Sequence, residues 1–181
     1  MKPSPAEIAL FLFELIVNSY KPEYLAVFLG FLPLSERELS EEDRARVQRE
    51  LMHLQAFIND YSVWNIYGGG AEGANIMFAF VEHLRAYEKE NPQAAIVHEI
   101  MGRRVELYAS IFEDEVSQQE SIRPGMGIPY TKTERELIRV GKEFADLCGR
   151  PEDVFLSTAA SMYFGATFVA TLKAIKIFVN E

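Results

Sequence analysis

Glu50-Leu51-Met52-His53 is the stretch of this chain best suited to do chemistry. On an α-helix a glutamate and a histidine three apart share one face, and helical di-metal centres use two such pairs plus further carboxylates. At about 100° per residue Glu50 falls only about 40° from the centre of the apolar stripe around it, with His53 at the edge. Glu50 therefore points inward. No second Glu-x-x-His occurs, which removes the ferritin-like arrangement. Glu50 and His53 remain candidate metal ligands. The plainer expectation is a boundary histidine beside a glutamate paired with a basic side chain.

Arg104 is that side chain. It lies near the middle of the apolar face marked by Val97, Met101 and Tyr108, as does Glu115, whereas Arg103 turns outward. A buried arginine requires a carboxylate, because an unpaired buried charge costs several kcal/mol. Glu50 and Glu14 are the inward carboxylates, so the expectation is an Arg104–Glu50 or Arg104–Glu14 pair that fixes helix register. The functional reading of the same cluster is a polar base to an apolar pocket, orienting an anionic ligand. Arg123-Pro124-Gly125-Met126-Gly127-Ile128-Pro129-Tyr130 adds Met126 and Tyr130 as candidate ligand contacts. Its prolines and glycines define a specific path, either a cover over one end of the fold or a lid or partner-docking element.

Other chemistries lack their patterns. No Gly-x-Ser-x-Gly elbow or phosphate-binding Gly-Lys-Ser/Thr is present, and Gly68-Gly69-Gly70 ends a helix instead of joining a strand to one. Cys148, the only cysteine, excludes an internal disulfide and falls on the inward side of its helix, as an inert core thiol does. Arg44, Arg46 and Arg49 adjoin Glu41, Glu42 and Asp43 and read as a solvated charged face. Which cofactor, if any, the chain uses is not defined by these residues.

The elements that position these residues are helices. Ser4-Pro5-Ala6-Glu7 is a capped helix start running to about Asn18-Ser19, and a short helix follows Pro22. Ser40 opens a long helix with Val47, Leu51, Leu54, Ile58 and Tyr61 in a bundle-type stripe. A helix from Ala71 to Lys89 buries Ile76, Met77, Phe80, Val81 and Leu84. The next, about Gln93 to Gln119, buries Val97, Ile100, Met101, Tyr108, Ile111 and Phe112. Thr131 or Thr133, each with a glutamate three later, caps a helix ending at Gly149, and the last begins around Pro151. No strand alternation or repeat appears. The fold class is all-α, a single-domain bundle of six or seven mostly antiparallel helices over 1–181.

The chain is 181 residues long, 49% hydrophobic and 25% charged, which excludes disordered, collagenous and disulfide-scaffold classes. A net charge of −9 argues against nucleic acid as partner. Glu7 and Glu14 interrupt the apolar N-terminus, so no leader peptide is expected. Val154 to Leu172 carries no formal charge and approaches spanning length, but its serines, threonines and glycine favour a core helix over membrane association. Its Ser157, Ser161 and Gly165 recur every four residues, permitting close helix approach at the bundle's centre or at a self-association face.

Three segments are unusually apolar: Ile8–Val17, Leu25–Leu34 and Val154–Leu172. Hiding all three inside 181 residues is difficult, so some of this surface faces a partner or a ligand. The leading expectation is a soluble, cytoplasmic, non-catalytic binding or scaffolding protein that self-associates through its apolar N-terminal helices. The alternatives are a helical enzyme or sensor using the Glu50, His53 and Arg104 cluster, and a protein binding an apolar small ligand.

Overall fold

A computed structural model describes residues 3–33, 35, 38–92, 98–113 and 131–180, and among them the fold is all-α. Seven helices follow in order: α1 (Pro5–Ser19), α2 (Pro22–Leu29), α3 (Glu41–Tyr67), α4 (Ala71–Glu90), α5 (His98–Glu113), α6 (Lys132–Leu147) and α7 (Val154–Asn180). No strand is present among the described residues. The 121–130 loop, with Met126 and Tyr130, lies outside them, as do Val97 and Glu115.

Local chemistry accounts for the boundaries. Ser4 and Glu7 form a reciprocal capping box at α1, and Thr131 and Glu134 form another at α6, each satisfying two amides that the first turn leaves unbonded. Ser40 caps α3 by accepting from the Asp43 amide at 3.1 Å. Gly68 ends that helix at φ +61°, a conformation that favours glycine. The last helix begins at Val154, three residues later than Pro151, because Asp153 caps it by accepting from the Leu156 amide at 2.8 Å.

The centre of the bundle is α3, which packs against all the other helices. From Glu50 to Asn59 every residue is buried, so the Val47–Tyr61 stripe widens here into a helix enclosed on all sides. One core cluster gathers Leu54, Phe57, Phe28, Phe144 and Phe164, and the other Ile8, Leu12, Met52, Ile76 and Phe80. The enclosed polar side chains find internal partners. Gln55 donates to Asn59 Oδ1 at 2.9 Å, and Asn59 donates to the Leu12 carbonyl at 2.9 Å, tying α3 to α1.

Of the two positions the sequence allowed for the small-residue face of α7, the bundle's centre is not the one it takes; α3 is there. Its stretch Val154–Phe178 is long and apolar enough to cross a membrane by length and composition, yet only 33% of its most apolar part is buried. One side packs on α6, where the small residues do what their spacing requires. A Cβ added at Gly141 would meet the Ser157 carbonyl oxygen at 2.1 Å, and Ser161 Oγ donates to the Leu137 carbonyl at 2.8 Å. A neighbouring face of the helix exposes Phe155, Met162 and Val169. On α5, Ile100 is exposed where the periodicity placed it inward, while Met101, Tyr108 and Ile111 are buried as expected.

Candidate functional site

The structure brings Glu50, His53 and Arg104 together and adds Tyr108. Glu50 and His53 are 3% and 2% exposed, so neither exchanges readily with solvent. Glu50 Oε1 accepts a hydrogen bond from the Tyr108 hydroxyl at 3.1 Å. Glu50 Oε2 lies 3.2 Å from His53 Nδ1, one turn along the same helix, and 3.4 Å from Arg104 Nε on α5. The Arg104 contact is ionic rather than hydrogen-bonded, since its buried Nε has no aligned acceptor. One carboxylate thus faces one guanidinium, with a phenol and an imidazole filling its remaining lone pairs. Burial pushes the Tyr108 phenol well above its usual range, and the Glu50 charge and hydrogen bond add to the rise. Tyr108 stays protonated and donates.

This is the Arg104–Glu50 form of the expected pair. Glu14 is a correction: it is exposed, because Ile8, Ala9, Leu12 and Ile16 define the buried side of α1 and Glu14 projects nearly opposite their mean direction, at about 100° per residue. The three histidines are engaged separately. His83 stacks on Phe13 with centroids 5.7 Å apart, and His98 Nδ1 lies 2.6 Å from Glu88 Oε2. Among the described residues no group of three or more His, Cys, Asp or Glu side chains is placed to hold a metal ion. A metal at Glu50 and His53 would have to displace Tyr108 and Arg104 from the carboxylate. Cys148 is buried, and its thiol is pushed up by burial and by the Glu50 charge, which keeps it unreactive.

Tyr108 was legible as a core residue but not as a partner of Glu50, because nothing local to α5 indicates which helix its hydroxyl meets. The sequence signal for the bundle's second feature was the small-residue run on α7. Where Ala166, Ala170 and Ala174 follow one another, α7 leaves an open cavity of about 360 Å³. Phe11 and Leu15 of α1, Tyr24 and Val27 of α2, and Phe31 just beyond α2 wall it. Tyr163, at one end of this floor, is buried, which raises its phenol to about 12. Among the described residues no Asp, Glu, Lys or Arg lines the groove. Met162 and Val169, exposed four residues before and three after Ala166, continue the same apolar surface around α7.

The arrangement therefore separates two kinds of surface. The Glu50 network is largely enclosed and pairs one carboxylate with one guanidinium, whereas the α1, α2 and α7 groove is open and wide enough for side chains or a small apolar molecule. Comparison of the chain with protein-family models, with curated proteins and with solved structures gives no match in any of the three.

Proposed function

We propose that this chain is a non-catalytic binding or scaffolding protein that acts as a homo-oligomer, with the α7 face bordered by α1 and α2 as the contact. The observation that carries the reading is the mismatch between composition and position on α7: nineteen residues from Val154 to Leu172 without a formal charge, on a helix of which only a third of the most apolar stretch is buried. Full burial of a Phe, Met or Val side chain is worth roughly 1.5–3 kcal/mol, so Phe155, Met162 and Val169 supply a driving force for association. The face carries both halves of a self-complementary contact. Val27, Met162 and Val169 project, and the alanine floor of the groove receives. Most of the apolar surface of α1 is spent within the chain, against α3 and α4, which moves the expected contact from the N-terminal helices toward α7.

Native mass spectrometry and light scattering across a dilution series test this. A clean multiple of the chain mass is expected, and Val169→Lys, on an exposed position, should shift the protein to monomer without loss of helicity. A wild-type monomer at all concentrations would overturn the reading, as would recovery of the protein only in the membrane fraction, which assigns the face to lipid. Extra mass matching an apolar small molecule on a monomer would assign the groove to a ligand instead.

A further inference from the structure

α3, α5 and α6 enclose a second cavity, of about 280 Å³, that shares no residue with the groove or the Glu50 network. Its wall is aromatic. Phe57, Tyr61 and Phe112 pack with centroid separations of 4.7 Å for Tyr61–Phe112 and 5.6 Å for the other two pairs. Trp64, the chain's single tryptophan, stacks on Tyr61 at 6.1 Å with planes 6° apart, yet is 58% exposed. Two carboxyl groups, Asp60 and Glu136, line the same space.

The charges do not balance. The Lys132 ammonium lies 3.7 Å from Glu136 and accounts for one of the two acids. Lys132 is 75% exposed, so it sits at the rim and leaves the interior open. Among the described residues Asp60 makes no hydrogen bond or ion pair, and burial raises its carboxyl above the ordinary range. A half-buried carboxylate without a counter-charge is costly, and a cation beside it removes that cost.

We infer that this cavity binds an organic cation, an alkylated ammonium whose charge sits beside Asp60 and whose methyl groups meet the aromatic wall. Aromatic faces attract such a cation through the ring quadrupole, and Trp is the strongest of them. An anionic ligand is repelled by Asp60 and Glu136, and a neutral one leaves Asp60 desolvated and unpaired. A bare divalent ion lacks the ligands it needs, since no cluster of three metal-binding side chains forms among the described residues. The inference is independent of the oligomer reading, which concerns different residues.

Titration of the full-length protein with choline, followed through Trp64 fluorescence, tests it against the neutral isostere 3,3-dimethylbutan-1-ol. Saturable binding of choline is expected, with the isostere about tenfold weaker or more, as a desolvated cation–π and charge contact requires. Asp60→Asn keeps the shape and should weaken choline at least as much. Lys132→Gln removes the protein's own competing cation and should strengthen it. If Asp60→Asn fails to fold, a loss of choline affinity in Glu136→Gln serves in its place. No saturable response, equal binding of the isostere, or unchanged affinity in the folded Asp60 variant would each overturn the inference.

Discussion

Tyr108 donates its phenolic hydrogen to Glu50 Oε1 across 3.1 Å, joining α5 to the central helix α3 inside the bundle. The contact completes a set in which every charge and donor around Glu50 comes from a position that is unremarkable in its own helix. Glu50 and His53 belong to α3, and Arg104 and Tyr108 are one turn apart on α5. Two helices are thereby held in one register by four side chains.

Removing the carboxylate should expose that dependence. Glu50→Leu strands the Tyr108 hydroxyl and the buried Nε of Arg104 and is expected to cost about 2–4 kcal/mol in urea unfolding. This is below the cost for a wholly buried pair because part of Arg104 reaches solvent. Glu50→Gln keeps an acceptor for Tyr108 and should cost less, about 1–2 kcal/mol. Equal losses for the two variants would mean that charge, not the Tyr108 hydrogen bond, carries the effect.

Gly141 is the point where α6 and α7 approach too closely for any side chain. Gly141→Ala improves intrinsic helix propensity by about 1 kcal/mol, but its Cβ meets the Ser157 carbonyl oxygen, which belongs to rigid backbone. The overlap should win, with a net loss of about 2–3 kcal/mol and a lower Tm. A rise in Tm would show that the two helices separate without cost. Gly165→Ala, with only Leu137 at 3.8 Å, provides the matched control and should be neutral or stabilising.

Alkaline pH should destabilise the fold through its buried phenols. The folded value for Tyr163 is raised to about 12, from an ordinary value of 10.0, chiefly by burial. Its contribution is therefore complete below about pH 10 and is lost as pH rises through about 12, because the unfolded chain ionises first. Tyr108 and Cys148 are shifted in the same direction and steepen the loss. Tyr163→Phe should flatten part of the decline in Tm over that window, measured against the wild type by circular dichroism. An unchanged slope would place the alkaline sensitivity on Tyr108, Cys148 and Tyr61, which burial also raises.

Much of the fold is local and was readable as such. The Ser4/Glu7 and Thr131/Glu134 boxes, the Ser40 cap and the Gly68 stop each involve residues within four positions of one another, so these helix limits follow from the sequence alone. The need of an inward arginine for a carboxylate was readable too, because the cost of an unpaired buried charge does not depend on the details of packing. Which carboxylate answers it was not: Glu14 and Glu50 both sit in apolar stretches, and the rotation of α1 that buries Ile8 and Leu12 is what turns Glu14 outward.

Only the tertiary structure decided which helix is central. By composition α7 is the greasier and α3 the more polar, yet α3 is enclosed and α7 lies at the edge. An apolar helix tolerates a covered or an uncovered position without losing a hydrogen bond. A helix bearing Glu50, His53, Gln55 and Asn59 is stable at the centre only when other elements bring Arg104, Tyr108 and the Leu12 carbonyl to meet them. Those partners lie tens of residues away along the chain, so periodicity within α3 carries no sign of them. The same physics leaves Phe155, Met162 and Val169 of α7 uncovered and places Asp60 in a cavity lined by aromatic rings.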